Sequence, residues 1–315
     1  MSQVTANSRA FVEAEQYSEF ILLNLHDGLL PDTFYRDVSD FMSGDTLHIK
    51  TIGSVTLQET EEDTPLVYNP IESGEITFKI TTYVGDAWYV TDDLREDGSQ
   101  IDQLMAARAT EHTRAIQERF ETDFLDAAAT PFKTATTGLP VNGFKHFVVS
   151  AHANNIFLLD HLIDLRLAAD KANVPSAGRV FIVDPVVEAT LNKKVSITND
   201  VTDFARDILS RGLASGQRFI SNWFGWDIMT SNRLYVGAAN DGTTSLASAV
   251  YNIGMCILDD QTKPVMGAWR RRPSVEGERN KDFRRDEYVD TARYGFGIQR
   301  VDTIFCVATS PTKTA

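Results

Sequence analysis

Three histidines, His146, His152 and His161, lie close in sequence to Asp160 and Asp164, residue types that together could gather a divalent cation. A metal centre of a known kind would show HExxH or paired Cys/His spacing. Neither occurs, and the five positions fall across a strand, a loop and a helix, so satisfied or exposed histidines are expected. Phosphate-cradling patterns, GxxxxGK[ST] and GxGxxG, are also absent. GLASG around Ser215 has the wrong spacing for a nucleophile elbow and no strand before it, which makes Ser215 a loop serine. Carboxylates crowd DDLRED and NDVTDFARD, but beside helix starts, where they answer the helix dipole. Trp223 and Trp226, flanking Phe224 and Gly225, read as core or subunit-contact aromatics rather than a ligand box. No catalytic, cofactor-binding or metal-binding residue is therefore expected, and the chain is not read as an enzyme.

Contacts remain. The chain of 315 residues carries a formal net charge of −14, and the charge is unevenly spread. Residues 1–131 hold 25 acidic and 8 basic side chains, whereas 263–315 hold 7 and 11, including Arg270, Arg271, Arg272, Arg284 and Arg285. Glu59, Glu61, Glu62 and Asp63 form the densest acidic run, beside Pro65. An acidic and a basic region can register copies of a chain against one another; a solvated acidic surface kept for solubility is the alternative. Sequence-specific DNA binding is not expected of so acidic a chain. Cys256 and Cys306 sit in apolar runs and read as buried, reduced thiols. No stretch reaches the ~20 apolar residues of a membrane span, and the start shows no secretory signal.

The elements that must position these charges follow from periodicity. Residues 1–45 read as an arm with a short helix near 13–25. Residues 46–92 alternate in TLHIKTIGSVTL and again in EITFKITTYVGDAWYVTD, a long hairpin-like excursion whose acidic middle has too little apolar surface to fold onto a core. Ile101, Met105, Ala109, His112, Ile116, Phe120 and Phe124 recur every three or four residues, a stripe that predicts a helix over 99–129, stopped near Pro131. After the TGLPVNGF turn come a helix within 155–171, a buried strand at 180–183 with Asp184 as cap and Pro185 opening a helix, a further helix at 203–211, and strands to the end.

This succession resembles the major capsid proteins of tailed bacteriophages, which share the Hong Kong 97 capsid fold. The resemblance runs over 45–309, through GDTLHIKTIGSVTL, WYVTDDLRED, TGLPVNGF, GRVFIVDPVVEATLNKK, FGWDIMTSNRL and ARYGFGIQRVDTIFCVAT. It implies an α+β fold with an N-terminal arm (1–45), an extended E-loop (46–92), a peripheral domain (93–145 and 259–315) with a spine helix, and an α/β axial domain (146–258). It implies hexamers and pentamers of the chain in an icosahedral shell, assembled in the host bacterial cytoplasm around double-stranded DNA that is held without sequence-specific contact. Implied partners are a portal and scaffold, protease or decoration proteins, with no membrane and no cofactor.

The family's archetype crosslinks its shell through an E-loop lysine. Lys50 and Lys79, the only lysines in 46–92, sit near the base of the excursion, so no such crosslink is expected. No scaffold-like segment precedes the arm, and any scaffold is expected to be separate or removed. Inter-subunit contact is expected between Glu59, Glu61, Glu62 and Asp63 of one copy and Arg270, Arg271, Arg272, Arg284 and Arg285 of another. Two other readings stay open: an encapsulin-like compartment for protein cargo, and a cytosolic α/β enzyme or ligand-binding module.

Overall fold

The computed structural model describes residues 34–40, 46–53, 57–59, 63, 68, 70, 73–97, 101–197 and 219–312. The expected helices at 13–25 and 203–211, and Ser215, lie outside them. In chain order the strands are β1 (Arg36–Asp37), β2 (Thr46–Ile52), β3 (Ser73–Lys79), β4 (Thr82–Thr91), β5 (Pro140–Val141), β6 (Phe144–Lys145), β7 (Phe147–Val149), β8 (Arg179–Val183), β9 (Phe219–Trp223), β10 (Trp226–Thr230), β11 (Val236–Asn240), β12 (Ser245–Cys256), β13 (Val265–Asn280), β14 (Arg285–Ile298) and β15 (Ile304–Thr309). The helices are α1 (Asp92–Asp97), α2 (Ile101–Lys133), α3 (Leu159–Lys171) and α4 (Pro185–Ile197). Two compact units emerge: a smaller one from Asp86–Ala115 and Val275–Asp290, and a larger one from Asp27–Gly85, Ile116–Ser274 and Thr291–Ala315.

The larger unit contains a seven-stranded sheet in the order β7-β15-β12-β8-β10-β9, with β11 added to β12. β8 is RVFIV and buried along its whole length, as a central strand covered on both faces must be. At its end the Asp184 carboxylate accepts the Val186 N–H at 2.9 Å and Pro185 opens α4, where a missing N–H costs nothing. Buried Asn252 ties three strands: its Oδ1 accepts the Asp184 N–H at 3.0 Å, and its Nδ2 donates to Val307 O at 3.0 Å and Thr309 Oγ1 at 2.9 Å. Phe224 (φ +50°) and Gly225 (φ +85°) form the two-residue turn between β9 and β10, a left-handed pair that suits a hairpin's twist. Trp226 is core: its indole N–H donates to Leu162 O, and its ring meets Phe181 and Phe305 edge-on. Cys256 and Cys306 are buried free thiols.

A second sheet, of four strands, runs β1-β13-β14-β4. In the larger unit α2 packs on its aromatic residues. Phe120 stacks on Trp269 at 4.3 Å and meets Tyr294 and Tyr35 edge-on at 5.0 and 5.6 Å. Ile116, Phe124, Leu125, Ala128, Ala129 and Phe132 extend the buried stripe, while Ala109, earlier in the same repeat, is exposed. The helix continues past Pro131 to Lys133, because proline in the last turn removes one N–H and Phe132, against Phe147 at 5.3 Å, anchors the end.

Pairing divides two of the expected segments. Within 46–92 the two-stranded ribbon of β2 and β3 ends at Lys79, and β4 instead borders β14 in the four-stranded sheet. Gly295 permits the turn-off: a Cβ there would lie 2.8 Å from Ile80 Cα and 2.9 Å from Lys79 O. Within 259–315, β13 and β14 belong to the four-stranded sheet, but β15 lies between β7 and β12 in the other. IFCVAT is apolar on both faces, which fits an inner strand covered from both sides.

His146 is fully buried, 4.5 Å from the Phe305 ring, and among the described residues neither ring nitrogen has a well-aligned hydrogen-bond partner. Burial holds its pKa below the usual 6.5, outweighing the opposite pulls of the Ile304 backbone and Asp302. The folded chain thus binds fewer protons than the unfolded one below pH 6.5, and stability present above that value is lost as pH falls. His146→Leu is expected to lose less stability than wild type between pH 7.5 and 5, measured by denaturant unfolding at each pH.

Candidate functional site

The ribbon begins with a full antiparallel register, Thr46↔Lys79 to Ile52↔Ser73. Alternation gives it two faces. Leu47, Ile49, Ile76 and Phe78 line one face, and at its base Phe78 and Ile80 pack on Met266 and Ala268. The other face carries His48, Lys50, Glu75 and Thr77, with His48 Nδ1 hydrogen-bonded to the Glu75 carboxylate. Farther out the described side chains meet solvent: Leu57 is 91% and Tyr68 99% exposed, and Glu59 and Asp63 are exposed beside them. Glu61 and Glu62 lie outside the described residues. Lys50 and Lys79 are exposed at the base.

The expected arginines divide between the units. Arg270, Arg271 and Arg272 lie on the part of β13 in the larger unit, just beyond Trp269; Arg270 and Arg272 are exposed and Arg271 half-buried. Arg284 and Arg285 belong to the smaller unit, at the turn between β13 and β14.

That turn is fixed from several sides. Arg284 sits at φ +49°, and its carbonyl accepts the Asp92 N–H at 3.1 Å. Asn280 Oδ1 accepts the Asp282 N–H at 3.1 Å, and Asn280 Nδ2 donates to Glu287 at 3.0 Å. Arg279 clasps Asp92 with two hydrogen bonds of 2.6 and 2.7 Å and reaches Asp286 at 3.1 Å; Arg95 from α1 joins Asp286 at 2.5 Å. The Arg279 hydrogen bonds hold the Asp92 carboxyl below the usual carboxylate range. Arg285 lies over Tyr89 at 4.5 Å and Phe283 at 4.8 Å, while its Nε donates to Glu287 at 2.7 Å, lowering that carboxyl as well. Arg285, expected to face another copy's acids, thus has a carboxylate partner within its own chain.

One cluster was not anticipated. His112, a member of the apolar stripe by spacing, is buried with Nδ1 3.2 Å from Asp86 and Nε2 2.8 Å from Asp290, the latter off the line of a good hydrogen bond. Arg108, one turn earlier, also bonds Asp86, and Trp88 lies 5.5 Å from the imidazole and stacked on Tyr288. The cluster ties α2, β4 and β14 within the smaller unit. Its sequence signal was a histidine in an apolar stripe and an Asp-Ala-Trp alternation on a strand.

The histidines beside Asp160 and Asp164 do not converge: His146 is core, His152 exposed, and His161 accepts the Leu158 N–H at 3.2 Å. Among the described residues no three His, Cys, Asp or Glu side chains are placed to hold a metal, and no helix is long and apolar enough to cross a membrane.

A four-stranded sheet with a long helix packed on it, a sheet built around the buried strand β8 with helices beside it, and the two-stranded ribbon compose a fold of the Hong Kong 97 type, and solved structures agree. A chain from the capsid of cyanophage P-SCSP1u matches at TM-score 0.72 and 14% identity, covering 97% of this chain and 95% of that one. A Mycobacterium phage Che8 chain matches at TM-score 0.66 and 17% identity, over 94% and 97%. A chain from the mature capsid of bacteriophage PhiM1 matches at TM-score 0.68 and 13% identity, over 99% and 97%. No curated protein matches. A family model described as phage capsid protein matches residues 74–308, and the chain belongs to that family. It is a major capsid protein, a structural subunit of the head shell.

Because Arg279 grips Asp92 as a planar fork, Arg279→Lys keeps the charge but loses the clasp. Amide hydrogen exchange at Asp92 is expected to quicken roughly two- to five-fold, with the exchange of β8 unchanged.

Proposed function

We propose that the chain assembles as hexamers and pentamers into an icosahedral shell around double-stranded DNA, in a virion built in the host bacterial cytoplasm. In this reading 1–45 is the N-terminal arm, 46–92 the E-loop, 93–145 with 259–315 the peripheral domain and 146–258 the axial domain. The portal and any scaffold, protease or decoration protein are separate partners, and the chain's role is structural, with no reaction assigned to it. The net charge of −14 favours a wall that does not hold the genome in place.

The observation that carries the proposal is the ribbon. Its base is packed at home, but Leu57 and Tyr68 stand almost wholly in water. Their exposure, beside an acidic run with no core of its own, supports a neighbouring copy as their partner. The acids Glu59, Glu61, Glu62 and Asp63 accompany them and meet, on a neighbouring copy, the arginines at 270–272 and 284–285. Arg285, already paired with Glu287, contributes less than Arg272 or Arg284. Each exposed pair adds only ~0 to 1 kcal/mol, but a closed shell repeats the contact many times.

Purified protein alone is expected to form shells visible by electron microscopy and sedimenting as multi-megadalton particles. A fixed monomer or dimer under all assembly conditions removes the proposal. The double variant Glu61→Lys, Glu62→Lys is expected to unfold at the wild-type temperature yet assemble poorly, and normal shells from it remove the acid-to-arginine contact.

A further inference from the structure

The β13–β14 turn of the smaller unit carries one exposed aromatic ring and lies beside another on β4. Phe283 and Tyr89 are 66% and 58% exposed, yet neither is loose, since one guanidinium, Arg285, lies against both rings. Glu287 fixes that guanidinium, Asn280 fixes the turn, and the Arg279, Asp92, Asp286 and Arg95 network fixes α1 beside it. Arg284 holds a left-handed backbone at the apex, a conformation costly for a non-glycine residue and kept only where its surroundings impose it. Two aromatics and an arginine, already immobilised and facing water, have the composition of an interface hot spot, and they give up little conformational freedom on binding.

We propose that Tyr89, Phe283 and Arg285, which touches both rings, form a preordered aromatic anchor that receives residues 57–68 of a second copy. Charge complementarity selects this occupant. The turn reads KDFRR, with three cations to one acid, and the ribbon between Leu57 and Tyr68 contains ETEED, with four acids and no cation. Apolar character matches as well, since Leu57 and Tyr68 flank that acidic run. The inference rests on the shell reading above and adds an aromatic anchor to the arginines on the receiving side of that contact.

Two measurements test it. Phe283→Ser and Tyr89→Ser are expected to raise the critical concentration for assembly about tenfold or more, with unchanged thermal unfolding, and Phe283→Tyr to assemble nearly as wild type. In the second, Gln58→Cys and Asp282→Cys are made in separate chains, co-assembled and oxidised; Cys256 and Cys306 are buried and stay silent. A covalent dimer of the two different chains is expected in shells and not in unassembled protein. If wild-type and Ser variants assemble at the same concentration, or shells form without that dimer, the anchor is wrong while the shell reading stands. If a chain carrying both cysteines closes the bond on itself in unassembled protein, the ribbon lies on its own body and the anchor is overturned. If wild-type protein forms no shell, the shell reading fails and takes the anchor with it.

Discussion

A sheet with a helix on only one face has to leave the other to something else. In the larger unit the α2 stripe from Ile116 to Phe132 packs on aromatic residues, and in the smaller unit its earlier turns bring His112 against β4 and β14. The opposite face of β13 is covered at Met266 and Ala268 by the ribbon's base, through Phe78 and Ile80, and becomes solvent-exposed from Arg270 onward. That one-sidedness fixes what the ribbon can do. Among the described residues it meets the core through Phe78 and Ile80, with Leu47, Ile49 and Ile76 against the same cluster, and the polar sequence of 57–63 has too little apolar surface for a layer of its own.

The same economy governs the charges. The chain is strongly acidic in its first third, but the structure pairs many of those acids within its own fold: Asp86 with Arg108, Asp92 with Arg279, Asp123 with Arg119. The basic tail is engaged in the same way at Arg279 and Arg285. These exposed pairs add little stability singly; their effect is geometric, since each removes a rotamer or a loop conformation from the ensemble. Asymmetry summed along a sequence therefore overstates the charge available to a partner.

Much of the fold could be read from the chain because it is written in local periods. The α2 stripe, the alternation of β2 and β3 and the Asp184-Pro185 helix start each depend on neighbours within a few residues. Non-local pairings could not be read that way. Nothing in IFCVAT says that it slides between β7 and β12 rather than following β14, and nothing in TYVGDAWYVT says that it leaves the ribbon for β14. Periodicity assigns a strand its faces but not its neighbours. The candidate site was legible to the same degree. The acidic run and the arginines were visible as composition, whereas the contact of Arg285 with both Tyr89 and Phe283 needs a turn conformation that composition does not specify.

On the proposed contact, pairing an ordered β13–β14 turn with a segment that has little core of its own has a physical rationale in a protein that closes a shell. Contacts strong enough to be irreversible one at a time would trap misplaced subunits, because affinity differences appear mostly in how slowly a contact dissociates. Contacts with both sides mobile would spend their energy on ordering. Ordering one side in advance, by interactions inside the subunit, lets each encounter remain weak enough to reverse while the sum over a closed shell is strong. Cis ion pairs that contribute little to folding are well suited to that task, since they can be spared from the stability of the subunit and still decide the geometry at its edge.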